Sequence, residues 1–155
     1  MADIKYIRRS IQDVLSRAVH QFPAVAVTGP RQSGKSTLLK HALPDYTYVT
    51  LDDPLIRQQA NDDPVLFLES ITPPVIIDEF QYAPELLQYI KMQIDENRSV
   101  KGRFVLTGSQ QFIATRGLSE SLAGRVALLE LPPFCIKECE LAGCSMEPVE
   151  LLEQE

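Results

Sequence analysis

The segment from Gly29 to Thr37 reads GPRQSGKST and constrains the fold more than any other part of the chain. It follows a short apolar run, Ala24 to Val27, of the kind that forms a strand buried on both faces. A helix is expected to start near Gly34 and to end before Pro44, because the residue ahead of a proline is disfavoured in the helical region. Glycine, four residues, then glycine, lysine and a hydroxyl, set between a strand and a helix, is the pattern of a phosphate-binding loop.

The residue types of this loop suit a polyphosphate bound to a metal ion. Glycines let consecutive amide hydrogens face the phosphates, at the positive end of the following helix dipole. Lys35 is expected to reach the β and γ phosphates, and the Ser36 hydroxyl to be a ligand of Mg²⁺. The alternative is a glycine turn that only joins the strand to the helix. The predicted phosphate-binding residues are Gly29, Pro30, Arg31, Gln32, Ser33, Gly34, Lys35, Ser36 and Thr37.

A carboxylate for the same metal is predicted at the end of another buried strand. The apolar run Val75 to Ile77 ends in Asp78 and Glu79. Asp78 is placed to be the second metal ligand, and Glu79 to polarise a water molecule for attack on the γ phosphate. The alternative is that the two residues only cap a turn at a strand end.

Four further residues are candidates on weaker grounds. Thr107 or Ser109, at the end of a predicted fourth strand, could detect hydrolysis at the γ phosphate, and a satisfied turn hydroxyl is the alternative. Arg125 precedes a fifth strand and therefore lies at the amino edge of a parallel sheet, whereas nucleotides bind at the carboxyl edge. The two edges are about 17 to 20 Å apart, so Arg125 is expected to be either a surface ion-pair residue or an arginine finger for a neighbouring subunit. Arg116 is a weaker candidate for the same role.

Strands and helices alternate along the chain, which predicts an α/β fold with a parallel sheet and helices on both faces. Two acidic pairs, Asp52–Asp53 and Asp62–Asp63, are each followed by proline and are predicted helix caps. An amphipathic helix is expected within residues 1–22, packed on a core that spans residues 23–155. Its apolar stripe consists of Ile4, Ile7, Ile11, Val14, Leu15 and Ala18.

Composition limits the remaining possibilities. The chain has 155 residues and a net charge of −6, which argues against binding nucleic acid through phosphate neutralisation alone. No run approaches the roughly 20 apolar residues of a membrane span, so a cytoplasmic protein without a membrane partner is expected. Cys135, Cys139 and Cys144 lack the spacing of a zinc site and are expected to be reduced thiols.

Taken together, these segments resemble the P-loop domain of the AAA+ superfamily, and more closely a bacterial and archaeal ATPase family in which that domain precedes an uncharacterised C-terminal domain. The matching segments are 29–39, 51–54, 75–87, 104–112 and 121–134. The resemblance implies a three-layer P-loop NTPase fold with strand order 5-1-4-3-2, and ATP with Mg²⁺ as ligands. It also implies Lys35 as phosphate binder, Asp78 and Glu79 as the acidic pair, a sensor at the end of the fourth strand and Arg125 as the finger.

The chain departs from the family by stopping at Glu155, where a helical lid or second domain would follow, so a fragment of a longer protein is expected. A protein or nucleic-acid partner would then be bound by the missing domain, and a homo-oligomer would form through Arg125. The leading hypothesis is an ATP hydrolase domain of a switch or motor. The alternatives are a nucleotide-gated interaction module that does not hydrolyse ATP and a small-molecule kinase. A GTPase is disfavoured because the sequence has no NKxD motif.

Overall fold

Five short runs rich in apolar and β-branched residues form the strands of one sheet. A computed structural model of the chain describes residues 6–108, 124–141 and 143. The strands are β1 (Ala24–Thr28), β2 (Thr47–Thr50), β3 (Val75–Asp78), β4 (Phe104–Gly108) and β5 (Val126–Glu130). The helices are α1 (Gln12–Gln21), α2 (Lys35–Ala42), α3 (Pro54–Asp62), α4 (Pro64–Ser70), α5 (Leu86–Glu96) and α6 (Ile136–Leu141), and Phe80–Tyr82 forms a 3₁₀ turn.

The strands pair in parallel in the order β2-β3-β4-β1-β5, which confirms the expected order 5-1-4-3-2. Strand β1 lies between β4 and β5, with Val25 opposite both Val105 and Ala127. Because all strands run the same way, the loop after β1 and the ends of β3 and β4 meet at the carboxyl edge of the sheet.

Helices cover both faces of the sheet, as predicted. Side chains of β1 alternate between the two faces, so Ala24 and Ala26 join one core cluster while Val25 and Val27 join the other. The first cluster is completed by α3, α4 and α5, through residues such as Ala60, Phe67 and Ile90. The second is completed by α1 and α2, with Leu15, Ala18, Val19, Leu38 and Leu39. The result is the three-layer arrangement expected of this fold class.

The acidic residues ahead of two prolines are helix caps, as predicted. The carboxylate of Asp53 accepts hydrogen bonds from the amides of Leu55 and Ile56 at the start of α3. Asp63 accepts one from Leu66 at the start of α4. These bonds satisfy amides that have no partner within the helix.

The N-terminal helix is shorter than predicted. It starts at Gln12, and residues 6–9 form no regular element; Ile4 lies outside the described residues. Val14 of the predicted stripe is 39% exposed, and Val19 is buried instead. The segment before the helix carries Arg9, whose side chain is buried and donates a hydrogen bond to the Ser33 carbonyl oxygen in the loop after β1.

The predicted site residues Ser109 and Arg116 lie outside the described residues. Within the ranges 6–108 and 124–141, no helix has the length and apolar character needed to cross a membrane.

Candidate functional site

The loop between β1 and α2 can hold its path only because it contains glycine at two positions. A Cβ atom on Gly29 would lie 2.2 Å from the carbonyl oxygen of Leu131, so no side chain fits there. Gly34, directly ahead of α2, has a φ of +87°, in the left-handed region that favours glycine. The loop therefore packs its backbone against the chain after β5 and presents its other side to solvent.

Lys35 belongs to the first turn of α2, and its side chain folds back over the loop. It is 7% exposed, and its Nζ donates hydrogen bonds to the carbonyl oxygens of Gly29 (3.1 Å) and Pro30 (2.9 Å). The ammonium group is thus held within the loop by neutral acceptors. A phosphate oxygen is a stronger acceptor for it, because hydrogen bonds between two charged groups are the stronger kind.

Asp78, at the end of β3, is the centre of a cluster of hydroxyl groups. Ser36 donates a hydrogen bond to its Oδ2 at 2.7 Å, and Tyr48 donates to the same oxygen. Thr107 donates to Oδ1, which also accepts the amide of Glu79 at 3.2 Å. The sheet therefore brings three of the predicted residues, Ser36, Asp78 and Thr107, into direct contact.

Tyr48 is a site residue that the sequence analysis missed. It lies opposite Ile76 in the pairing of β2 with β3, so Asp78 is its diagonal neighbour on the same face. Burial, with Asp78 beside the hydroxyl, raises the pKa of Tyr48 well above its ordinary value. The strand order implied by the family resemblance could have identified Tyr48, because it already placed β2 beside β3, the strand that ends in Asp78.

Glu79 follows β3 in a conformation uncommon for a residue with a side chain. Its φ is +56°, in the left-handed region. Its amide also donates to the Thr107 hydroxyl at 3.2 Å, and its carboxylate accepts a hydrogen bond from the Gln81 amide group. Because of this turn, the two acidic residues lie in different surroundings. Asp78 is buried among hydroxyl groups, and Glu79 is half-buried at the surface of a cavity.

This cavity lies over the loop and has a volume of about 510 Å³. It is lined by Arg31, Gln32, Gly34, Lys35, Ser36, Thr37, Asp52 and Glu79. Asp52 is the second residue that the sequence analysis missed, since the acidic pair it belongs to was interpreted as helix caps and only Asp53 is one. The oxygen atoms of Ser36 and Asp78 suit a magnesium ion. Hydroxyl and carboxylate oxygens are ligand types that Mg²⁺ prefers, and these two already lie within hydrogen-bond distance of each other.

Arg125 lies just before β5, at the amino edge of the sheet as predicted. Its Nε and Nη2 donate to the two carboxylate oxygens of Asp95, at 2.7 and 3.0 Å, and Asp95 also pairs with Arg98. The Arg125 side chain is therefore oriented by α5 of its own chain. This is the ion pair considered as the alternative, and a role as finger toward a neighbouring subunit stays a prediction.

Comparison with known proteins decides the family. A family model described as an AAA domain matches residues 21–140, a range that contains the loop, both acidic residues and Arg125. The chain belongs to this AAA domain family. Its P-loop ATPase-like fold is thereby shown by family as well as by strand order.

Relatives of this AAA domain include two curated proteins, both named as uncharacterised, from Mycobacterium tuberculosis and Mycobacterium bovis. Each is 34% identical to it over 134 residues, which is 84% of this chain and 30% of the relative. The chain thus spans less than a third of the length of these relatives.

Two solved structures share the fold. A Walker-type ATPase of Pyrococcus abyssi matches with a TM-score of 0.54 and 16% identity, over 92% of this chain and 60% of that one. Cdc6p of Pyrobaculum aerophilum matches with a TM-score of 0.59 and 11% identity, over 92% of this chain and 51% of that one. At these identities the likeness supports the fold alone.

Proposed function

We propose that this AAA domain binds ATP together with Mg²⁺ and hydrolyses the bond between its β and γ phosphates. The observation that supports this best is the convergence of Lys35, Ser36 and Glu79 on one cavity, with Asp78 bonded directly to Ser36. A turn that merely joined β1 to α2 would not require a buried lysine, a hydroxyl–carboxylate pair and a second carboxylate at the same place.

In this proposal the loop amides and Lys35 bind the β and γ phosphates. Ser36 and Asp78 would hold the magnesium ion, which when bound supplies positive charge to neutralise the phosphate oxygens. To do so, Ser36 and Asp78 must exchange their mutual hydrogen bond for the metal. Tyr48 and Thr107 remain on the carboxylate meanwhile and keep its orientation.

Glu79 is the proposed general base. Glu79 lines the cavity and its carboxylate accepts a side-chain hydrogen bond from Gln81, whereas the Asp78 carboxylate accepts hydrogen bonds from three hydroxyl groups. Glu79 is therefore the acidic residue of the pair that is better placed to take a proton from water. The Thr107 hydroxyl donates a hydrogen bond to Asp78 and accepts one from the Glu79 amide. It is the proposed sensor, because displacement of Asp78 or Glu79 would change a hydrogen bond at the end of β4. Ser109 is proposed for the same task.

The second candidate is a nucleotide-gated interaction module without hydrolysis. The hydrogen bond from Gln81 to the Glu79 carboxylate favours it, because a carboxylate held by a neighbouring amide is a weaker base toward water. In either case a homo-oligomer through Arg125, and a protein or nucleic-acid partner bound by other parts of a longer protein, remain part of the proposal. A small-molecule kinase is the third and least favoured candidate.

The experiment compares nucleotide affinity with phosphate release for ATP and GTP, each with magnesium. The proposal expects ATP binding with slow release of phosphate. Binding without any release supports the gated module, and phosphate transfer to an added small molecule supports a kinase. Absence of binding to either nucleotide contradicts the proposal.

A further inference from the structure

Arg9 connects three distant parts of the chain underneath the phosphate loop. The residue is 3% exposed and precedes α1 in a segment without regular structure. Its Nη1 donates to the Ser33 carbonyl oxygen at 2.6 Å, and its Nη2 to the Pro132 carbonyl oxygen at 2.6 Å. Its Nε donates to Glu138 Oε2 at 3.1 Å, and the guanidinium lies 4.2 Å from the centre of the Phe134 ring.

The contact with Ser33 bears on the geometry of the loop. The Ser33 carbonyl and the Gly34 amide belong to one planar peptide group, in which C=O and N–H point in opposite directions. A guanidinium that holds the carbonyl toward the interior therefore directs the amide hydrogen away from it. Gly34 lines the cavity, so this direction is toward the space proposed for the phosphates.

We infer that Arg9 is a positioning residue for the phosphate loop, which fixes the Ser33–Gly34 peptide in the orientation that receives a nucleotide phosphate. This inference rests on the proposed function. In this inference Arg9 acts through the loop backbone rather than by contact with the nucleotide, because the residue is buried and each of its three guanidinium nitrogens already donates a hydrogen bond within the protein.

Glu138 forms an ion pair with Arg9, which holds the Arg9 side chain in place and neutralises its charge. It is 5% exposed, and its other oxygen accepts the amide of Ser10 at 2.6 Å, so the pair also fixes the start of the segment that carries Arg9. The Cys135 amide donates to it at 3.1 Å. The charge on Arg9 is thus balanced within the protein, which makes its effect on the loop one of orientation rather than of attraction toward phosphate.

A purely structural staple is the competing explanation, since removal of one member of a buried ion pair destabilises a protein in any case. Arg103, which is half-buried, provides a control arginine away from the loop. It also donates to a backbone carbonyl, that of Gln93 at 2.6 Å, and lies over the Phe104 ring at 5.3 Å, but it precedes β4 at the amino edge, away from the loop. Arg103→Met should lower the unfolding midpoint and leave nucleotide affinity unchanged.

The test measures the affinity for ATP with magnesium by calorimetry, well below the unfolding midpoint of each variant. Arg9→Met should bind ATP about tenfold to hundredfold more weakly than the wild type. This is the amount expected when the hydrogen bond from the Gly34 amide to a charged phosphate is lost. The Gly34 amide signal in a nitrogen–proton spectrum should also move on substitution, even without nucleotide. An Arg9→Met chain that binds ATP like the wild type and keeps this signal overturns the inference.

A second variant covers the case in which Arg9→Met does not fold. Arg9→Lys keeps a positive charge opposite Glu138, but its single nitrogen cannot reach all three acceptors at once. It should lose affinity with a smaller fall in the unfolding midpoint, and wild-type affinity in a folded Arg9→Lys chain contradicts the inference. A wild-type chain that binds no ATP removes the proposed function and this inference with it, whereas a binding wild type with equally binding variants removes the inference alone.

Discussion

The hydroxyl of Ser36 and the carboxylate of Asp78 are joined by a hydrogen bond of 2.7 Å, although 42 positions separate the two residues in the chain. The bond links the first turn of α2 to the end of β3 across the carboxyl edge of the sheet. It holds together the two side chains proposed to bind magnesium, so binding of the ion would replace this bond rather than require the side chains to be assembled. The predictions below test this site and its surroundings.

Tyr48→Phe should destabilise the domain by about 2 kcal/mol, because it removes a hydrogen bond to the Asp78 carboxylate. The pKa of Tyr48 is raised, so the hydroxyl stays protonated and the difference should be constant between about pH 6 and 9, below the ordinary tyrosine pKa of about 10. Urea unfolding measures it. Tyr46→Phe, at the amino edge of the sheet, is the control, and an equal loss in both variants would remove the special role of the Tyr48 hydroxyl.

Glu79→Gln should leave ATP binding intact and slow phosphate release by about a hundredfold or more, the contribution typical of a general base. The glutamine keeps the shape of the side chain but cannot accept a proton from water. Release is measured in single turnover with saturating ATP. Glu85→Gln, at an exposed position later in the chain, should have no effect. Wild-type turnover in the Glu79 variant would exclude this residue from the mechanism.

The Arg9–Glu138 pair predicts an acid-sensitive contribution to stability. Burial opposes ionisation of Glu138, but hydrogen bonds from the Ser10 and Cys135 amides and the charge of Arg9 outweigh it and lower its pKa from 4.5 to about 2. A carboxyl whose pKa is lower in the folded state stabilises the fold above its unfolded value and loses that contribution as the pH falls. The contribution should therefore be complete above pH 4.5 and disappear toward pH 2.

This is checked by comparing the unfolding free energy of wild type and Glu138→Gln over that interval. The difference between them should shrink steadily as the pH falls through it. Glu140→Gln, at an exposed position on the same helix, is the control. A Glu138→Gln curve that stays parallel to the wild-type curve would mean that the pKa of this carboxyl is the same in the folded and the unfolded protein, which contradicts the prediction.

Variants of Arg125 and Asp95 can distinguish the two proposed roles of Arg125, an arginine finger and an ion-pair residue. If Arg125 serves a neighbouring subunit, mixing an Arg125→Ala chain with a Lys35→Ala chain should restore part of the ATPase activity that each lacks alone. Asp95→Asn breaks the same ion pair while leaving the arginine, and it should stay active. If Asp95→Asn reproduces the defect of Arg125→Ala and mixing restores nothing, Arg125 is a structural residue only.

The sequence was sufficient for the features that depend on local pattern. Periodicity and proline positions placed the strands and the capped helices, and the loop motif with Asp78 located the carboxyl-edge site. The missed residues depend on contacts that no local pattern encodes. Arg9 and Glu138 are 129 positions apart, and their pairing depends on the path of the irregular segment before α1 and on where α6 lies in the fold. Tyr48 and Asp52 needed the pairing of β2 with β3 and the path of the chain after β2 before their surroundings could be derived.

The most direct test of the account is calorimetric titration of ATP with magnesium into the wild-type chain and into Lys35→Ala. Lys35 is the loop's own ammonium group, and its removal should abolish measurable binding, while Lys101→Ala, an exposed lysine at the opposite edge, should bind like the wild type. Binding by the wild type and by Lys101→Ala, with none by Lys35→Ala, is the predicted result. Unchanged affinity in Lys35→Ala would contradict the account.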